Sequence, residues 1–283
     1  MIRRAHAALR AMDPLVLLLR ASLLVLLVNS HTDTVALIGV GLACLVALPR
    51  PALLRSPLLW AGLFVAIGLR QMLTWHLVDD HIVVTTYWCA ALALGLTAQD
   101  QRRTLAASAR LLVGVLFAFA AAWKLGSGEF ADGTFFRYSL LFDDRFATVT
   151  RVVGGTADTI LQHNLAGLQE LARDPGAGGG LLLQEGPRNE ALAAVFTGWG
   201  ILIESAVAIA FLVPLRRRWE ALRPATLIAF AATTYLVVPV GGFGTLLLVL
   251  GSAQTSSDRL RVAYLWGAVG LLVWAAVWPI IFL

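Results

Sequence analysis

The sequence predicts an all-α fold, a polytopic bundle of transmembrane helices with eight or nine spans. Of the 283 residues, 59% are hydrophobic and 14% are charged, whereas a soluble domain is about 45–50% apolar and about 25% charged. The apolar excess is concentrated in runs of roughly 17–25 residues, the length that crosses about 30 Å of hydrocarbon. The runs do not alternate with period two, as the strands of a membrane barrel do. We expect one membrane-embedded domain over residues 1–283.

Nine apolar runs are separated by polar or proline-containing segments. They lie at about 15–29, 34–48, 57–77, 82–97, 105–124, 191–215, 224–240, 245–253 and 262–283. Asp13-Pro14 is a helix-start signal before the first run. Residues 239–244 (PVGGFG) predict a helix break at membrane depth, which leaves 245–253 as a short span or a re-entrant arm. If the broken helix counts as one element, the number of spans is eight.

A long stretch at about 125–190 does not span the membrane and is expected to form an extracytoplasmic loop. It mixes aromatic and charged residues. Within it, residues 159–172 have helical apolar spacing and predict a helix that lies along the membrane interface. Residues 174–180 are glycine-rich and predict a flexible loop.

Positive charge predicts the orientation. If every run crosses the membrane, the arginines outside the runs and outside the long stretch all fall on one side. They are residues 3, 4, 10, 50, 55, 102, 103, 216–218, 223, 259 and 261. By the positive-inside rule that side is cytoplasmic. We therefore expect a multi-pass protein of the cell membrane, with a cytoplasmic N-terminus and an extracytoplasmic C-terminus. The first run has no small-residue cleavage site and is expected to stay as a helix. The lipid bilayer is the predicted partner, and the net charge of +5 reflects cytoplasmic loops rather than nucleic-acid binding.

Lys124 and Glu204 are the ionisable residues that the sequence singles out. Lys124 ends the fifth run at the outer boundary, where it either extends its ammonium to the headgroups or acts as a base, since burial favours the neutral amine. Glu204 lies in the middle of the sixth run and is too short to reach the headgroups. It either pairs with Arg20 or Arg70, stays protonated, or lines a polar cavity.

Other polar residues have simpler interpretations. His81 follows two aspartates at the start of the fourth run, and these carboxylates could orient its ring. Asp132 precedes a glycine and is expected to be a turn residue. The two cysteines, Cys44 and Cys89, lie in apolar runs and are expected to be small buried side chains. The sequence has no Cys/His metal spacing, so no metal site is predicted.

Several short motifs resemble the membrane domain of vitamin K-dependent γ-carboxylases, called the HTTM domain in bacterial relatives. The motifs are residues 122–125 (AWKL), 130–133 (FADG), 141–142 (LF), 198–204 (GWGILIE) and 240–245 (VGGFGT). Their order and spacing agree with the family over roughly residues 74–253.

The resemblance implies a site and a reaction. In the family, the lysine of the Lys-Leu pair deprotonates vitamin K hydroquinone, and Lys124 matches it. His81 is the nearest candidate for a functional family histidine, and Glu204 matches an acidic residue on a glycine-rich helix. The implied cofactor is a reduced quinone, with O2 and CO2 as co-substrates. The aromatic residues expected to hold its ring are Trp123, Phe135, Phe136, Tyr235 and Phe243.

Two departures and two alternatives accompany this hypothesis. A large domain that binds a propeptide in eukaryotic enzymes is not expected here, and Tyr235 stands near the position of a family histidine. Both favour the quinol half-reaction over carboxylation of a secreted or membrane peptide. One alternative is a non-enzymatic accessory protein that assists maturation or export of such a peptide. The other is a small transporter built on Glu204 and the broken helix.

Overall fold

The chain was analysed as a computed structural model, which describes residues 9, 11–29, 35–75, 80–174, 183–214 and 216–282. The description of side chains also leaves out residues 35–37, 80, 81, 217 and 279–282. All regular elements within these ranges are helices, and none of the described residues forms a strand. The predicted all-α class is confirmed.

The helices follow the predicted runs closely. The helices of the apolar runs are α1 (Pro14–Asn29), α2 (Val35–Ala47), α4 (Pro57–Leu73), α5 (Asp80–Gly95), α6 (Gln101–Gly126), α11 (Asn189–Leu212), α12 (Leu222–Tyr235), α13 (Gly241–Gln254) and α14 (Asp258–Phe282). Short helices between them are α3 (Pro51–Leu54), α7 (Gly128–Ala131), α8 (Thr134–Phe142), α9 (Ala147–Val152) and α10 (Asp158–Arg173).

Within the part of the chain that the structure describes, three helices are long and apolar enough to cross a membrane: Gln101–Gly126 of α6, Asn189–Leu212 of α11 and Asp258–Trp278 of α14. The other apolar helices have 10–17 residues. At 1.5 Å per residue they measure about 15–26 Å, less than the roughly 30 Å of a hydrocarbon core. Length and composition together therefore support membrane association, with three helices as full-length candidate spans.

Local signals in the sequence explain where helices begin. The Asp13 carboxylate accepts a hydrogen bond from the Leu15 amide at 3.0 Å, just before α1. Asp100 accepts one from the Arg103 amide at 3.1 Å and caps α6. Such caps satisfy amide groups that have no partner within the helix. The start predicted at Asp13-Pro14 is confirmed.

Helix α13 lies at the centre of the bundle. It packs against α1, α5, α6, α12 and α14, and every residue from 244 to 252 is buried. A helix that is apolar on all sides is expected to be surrounded by other helices. The predicted break was misplaced, because α12 ends at Tyr235 and α13 begins at Gly241. Residues 236–240, which include Pro239, form the break, and Gly241–Gly244 is the first turn of α13.

The long stretch before α11 is more ordered than the sequence suggested. It contains α7 to α10, and α10 is a helix over the residues where the sequence predicted one. Asn164 of α10 donates to the Gln184 carbonyl at 2.6 Å and accepts from its amide at 3.0 Å. A second small core joins this region to α11 through Leu140, Phe146, Leu192 and Ala193. The glycine-rich loop predicted at 174–180 falls almost wholly outside the described residues.

Candidate functional site

Lys124 and Glu204 form an ion pair between two helices. The Lys124 Nζ atom lies 3.0 Å from Oε1 and 2.7 Å from Oε2 of Glu204. Lys124 lies in the last turn of α6, and Glu204 lies in the middle of α11. The side chains are only 16% and 13% exposed, respectively. The pair is therefore largely removed from solvent, and each charge depends on the other for compensation.

Close packing of α6 and α11 sets the position of this pair. Gly114 of α6 lies against α11, so close that a Cβ atom there would be 2.6 Å from Leu212 Cδ2. Gly200 precedes Glu204 by one helical turn and lies on the same face of α11. A Cβ atom at Gly200 would be 3.8 Å from the Phe130 ring. The missing side chains at 114 and 200 let α11 approach both α6 and α7.

An aromatic cluster covers the outer side of the ion pair. The Lys124 Nζ atom lies 5.0 Å from the centroid of the Phe130 ring, within the range of a cation–π interaction. Phe130 is buried, and its ring contacts Phe135 at 5.2 Å, Phe136 at 5.3 Å and Trp123 at 6.1 Å. Trp123 is 60% exposed and Phe135 is 43% exposed. These two rings give the cluster an apolar outer surface beside the lysine.

Tyr235, the last residue of α12, is a further buried polar residue of the bundle. Its side chain is 3% exposed, and its hydroxyl has no hydrogen-bond partner among the described residues. The Tyr235 ring contacts Phe230 at 5.6 Å and Phe243 at 6.2 Å. A buried hydroxyl without a partner is uncommon and marks a polar position within the bundle.

The structure shows contacts for all but one of the predicted site residues, and it leaves the position of the remaining residue undetermined. Lys124 and Glu204 meet directly, Trp123, Phe135 and Phe136 surround Phe130, and Tyr235 contacts Phe243. The side chain of His81 lies outside the described residues, so its place relative to the pair is open.

The alternative partners proposed for Glu204 were wrong. Among the described residues, the ion pairs within 4.0 Å include neither Arg20 nor Arg70. Glu204 pairs with Lys124 instead, because the α6–α11 interface brings the last turn of α6 to the middle of α11. Both arginines keep a buried Nε atom without a hydrogen-bond partner among the described residues.

Asp132 is a turn residue, as expected. Its carboxylate accepts a hydrogen bond from the Thr134 amide at 2.9 Å, and the following Gly133 has a φ of 84°, a conformation that favours glycine. The hydrogen bond from Thr134 lowers the pKa of this fully exposed carboxyl below its usual value. Asp132 orients the chain between α7 and α8, which carry the aromatic cluster.

Two features of the site were not used in the prediction. Phe130 was treated only as part of a motif, although its ring contacts the lysine. Lys124 is also the one lysine among the 22 Lys and Arg residues of the chain. This composition was a usable signal, because an amine can lose its proton within proteins whereas a guanidinium cannot.

The described residues include no group of three or more His, Cys, Asp and Glu residues that could hold a metal ion. Several sizeable cavities lie away from the ion pair. One of about 520 Å3 lies between α4 and α5, and others of about 350 Å3 and 490 Å3 lie at the end of the bundle where α13 meets α14. The ion pair itself is therefore a packed contact, covered by aromatic rings.

No protein-family model, curated protein or solved structure matches the chain.

Proposed function

We propose that this chain is a multi-pass enzyme of the cell membrane that oxidises a lipid-soluble hydroquinone at the Lys124–Glu204 pair. The observation that carries the proposal is the ion pair itself, formed by the chain's one lysine. Arginine makes the remaining ion pairs found among the described residues. A purely structural pair could use arginine equally well, whereas proton transfer needs a side chain that can lose its proton.

The proposed topology has nine crossings, or eight if α12 and α13 act as one broken element, with a cytoplasmic N-terminus. Asp13 forms ion pairs with both Arg55 and Arg102. These contacts support one common side for the start of α1, the segment before α4 and the first turn of α6. Arg102 and Lys124 lie near opposite ends of α6, about 33 Å apart along the axis at 1.5 Å per residue. Lys124 is therefore assigned to the extracytoplasmic boundary.

The surroundings of the pair suit a flat apolar ring. The exposed rings of Trp123 and Phe135 lie beside Lys124 through their contacts with Phe130. The buried hydroxyl of Tyr235, which has no partner among the described residues, offers a further polar group within the bundle. A hydroquinone bound there would supply reducing equivalents and an acidic phenol. The overall reaction joins one hydroquinone and one O2 to give one quinone epoxide and one water, so oxygen is the oxidant.

The protein's own part in the reaction is to manage one proton. In the resting pair, Lys124 is an ammonium and Glu204 a carboxylate. Movement of one proton from Nζ to the carboxylate, across 2.7–3.0 Å, gives a neutral amine and a neutral carboxylic acid. A low-polarity environment reduces the cost of this neutral pair, because it disfavours isolated charges. The amine can then accept the phenolic proton, and Phe130 stabilises the ammonium that results.

The test compares wild-type protein with Lys124→Arg and Glu204→Gln in lipid nanodiscs. We expect wild-type protein to consume O2 and form epoxide when a hydroquinone is supplied. Lys124→Arg should keep the ion pair and the fold but lose at least about 100-fold in turnover, since general-base catalysis typically contributes 10²–10⁴-fold. Glu204→Gln should also lose turnover. Wild-type protein without turnover, or full turnover in Lys124→Arg, would defeat the proposal.

Carboxylation of a secreted or membrane peptide is the further half of the proposed reaction, with CO2 as co-substrate. Its test is incorporation of labelled CO2 into a glutamate-containing peptide during hydroquinone turnover. If wild-type protein oxidises hydroquinone without incorporating label, the enzyme performs the quinol half-reaction alone. The accessory alternative would be supported if export of a peptide required this protein but was unaffected by Lys124→Arg.

A further inference from the structure

A cavity at the other end of the bundle contains two arginines without a carboxylate partner. The cavity has a volume of about 490 Å3 and is lined by Arg110 of α6, Arg223 of α12 and the segment that joins α13 to α14. Its size falls within the range of small-ligand sites, about 300–1,000 Å3. It lies where α11 ends and α12 begins, far along α6 from Lys124.

Both guanidinium groups are held by the same helix end. The Arg110 Nε atom donates to the Phe211 carbonyl at 2.6 Å, and the Arg223 Nε atom donates to the Ala210 carbonyl at 3.0 Å. These carbonyls belong to the last turn of α11, which carries a partial negative charge. The contacts fix the two side chains while leaving both terminal nitrogens of Arg223 and the Nη1 atom of Arg110 without a partner among the described residues. A longer contact of 3.5 Å joins Arg110 Nη2 to Val213.

The described residues of the protein neutralise the positive charges of this cavity only in part. No carboxylate among the described residues lies within 4.0 Å of either guanidinium. Arg110 and Glu220 both act electrostatically on Arg223. Glu220 is exposed and lines the same cavity. The wall therefore carries two positive charges and one negative charge, and the two positive groups repel each other.

An adjacent cavity of about 350 Å3 provides a contrast. It shares Gln254, Thr255 and Ser256 with the first cavity and also has arginines in its wall. There, however, two of the three arginines are paired, Arg102 with Asp13 and Arg261 with Asp258, and Arg103 alone has no ion pair among the described residues. Arg102 and Arg261 at this end of the bundle are thus each paired with a carboxylate. The unneutralised pair in the larger cavity is a specific feature of that cavity.

We propose that Arg110 and Arg223 bind the phosphate group of an anionic phospholipid. A phosphate between the two guanidiniums would relieve their repulsion and accept hydrogen bonds from their unused nitrogens. The cavity also has an apolar part of its wall, formed by Phe211, Leu260 and Tyr264. Gln254 and Thr255 offer polar groups for a headgroup. Basic pockets between helices on the cytoplasmic side of a membrane suit anionic lipids. This inference rests on the proposed membrane orientation and is independent of the proposed reaction.

The test measures lipid binding to delipidated protein in a nonionic detergent by native mass spectrometry. We expect phosphatidylglycerol to bind at least about tenfold more tightly than phosphatidylcholine. The double variant Arg110→Gln/Arg223→Gln should lose roughly 25-fold in affinity for phosphatidylglycerol, at about fivefold for each basic residue. Arg50→Gln is the matched control, because Arg50 also donates to a carbonyl near a helix end, that of Val46 at 3.3 Å, but does not line the cavity. It should bind as wild type does.

Two further variants separate binding from a structural role. If the double Gln variant does not fold, the Arg110→Lys/Arg223→Lys variant is measured in its place. It keeps both charges and should retain a measurable preference for phosphatidylglycerol. Glu220→Gln removes the competing negative charge and should raise the affinity roughly threefold, the size expected of one exposed charge interaction. Equal affinity of all variants for phosphatidylglycerol, or equal binding of both lipids to wild-type protein, would overturn the proposal. Millimolar inorganic phosphate that displaces the lipid completely would overturn the assignment to a lipid and indicate a soluble phosphate ligand.

Discussion

The Lys124 ammonium contacts both oxygens of the Glu204 carboxylate, at 3.0 and 2.7 Å, although 80 residues separate them in sequence. The contact joins the last turn of α6 to the middle of α11 and brings the aromatic cluster of α7 and α8 beside it. Because both side chains are largely buried, the pair is expected to influence stability as well as chemistry. This expectation can be tested without knowledge of a substrate.

The Lys124–Glu204 pair should show strong energetic coupling. Glu204→Gln leaves an uncompensated ammonium and should lower the free energy of unfolding by about 2–4 kcal/mol, slightly below the range for fully buried pairs. Lys124→Met should cost less, because the remaining carboxyl can become neutral by binding a proton. The Lys124→Met/Glu204→Gln double variant should recover about 1–3 kcal/mol relative to the sum of the single effects. Unfolding in mixed micelles measures these free energies.

The Arg137–Glu185 pair is the control for this double-mutant cycle, in which each single variant is compared with the double variant. Its side chains are 47% and 29% exposed, and exposed pairs contribute about 0–1 kcal/mol. Arg137→Gln/Glu185→Gln should therefore show coupling below about 1 kcal/mol. Coupling of equal size in the two cycles would mean that the Lys124–Glu204 pair behaves as a solvated surface pair.

Gly244 should not tolerate a side chain. A Cβ atom there would lie 2.7 Å from Tyr235 Cδ2 and 2.8 Å from Leu271 Cδ1, and both of these residues are buried. Gly244→Ala should destabilise the protein by about 1–3 kcal/mol, the usual cost of overpacking a core. The measurement is the midpoint of thermal unfolding in detergent.

Gly62→Ala is the matched substitution. Gly62 lies in α4 with no atom within 4 Å of its added Cβ, and alanine favours helix over glycine by up to about 1 kcal/mol. This variant should be neutral or slightly stabilised. If both substitutions lowered the unfolding midpoint equally, close packing at Gly244 would not be the cause.

Asn164 should hold the segment before α11 against α10. Its amide group makes two hydrogen bonds to the backbone of Gln184, and its side chain is fully buried. Asn164→Ala would leave both backbone groups without these partners, at a cost of about 1–3 kcal/mol. Hydrogen exchange of residues 183–188 should become faster. Gln169→Ala, at an exposed position of the same helix, should leave the exchange rate unchanged. Faster exchange in Gln169→Ala but not in Asn164→Ala would contradict the role assigned to Asn164.

Acid should weaken the contact that Asp13, just before α1, makes with Arg55 before α4 and with Arg102 in the first turn of α6. Burial by itself would raise the pKa of Asp13, but the Leu15 amide and the guanidiniums of Arg102 and Arg55 outweigh it and lower the pKa. A carboxyl whose pKa is depressed in the folded state contributes stability above its unfolded pKa of about 4. That contribution is lost as the pH falls through the lower, folded pKa.

The comparison is wild-type protein against Asp13→Asn, measured as unfolding midpoint between pH 6 and pH 2, a range set by the usual carboxyl pKa of about 4. Wild-type protein should be the more stable at pH 6, and the difference between the two should shrink below about pH 4. A difference that is constant over the whole range would show that the Asp13 charge contributes nothing to the folded state.

Local chemistry accounts for what could be predicted. The apolar runs determined where helices form, because main-chain groups in an apolar medium must bond within their own segment. Asp13 with Pro14 marked the start of α1, and the spacing at 159–172 marked α10. These features depend on residues close together in sequence, so the sequence alone determined them.

Contacts between distant segments decided the rest. Glu204 had three candidate roles in the sequence, and the packing of α6 along α11 selected Lys124 as its partner over Arg20 and Arg70. Residues 239–244 were expected to break a helix, and in the structure Gly241–Gly244 instead forms the first turn of α13, where Gly244 packs closely against Tyr235 and Leu271. The sequence by itself determined an all-helical, apolar chain with a lysine at the end of one helix. Only the tertiary structure decided which charge that lysine meets, because a few ångströms of helix position separate an ion pair from two isolated charges.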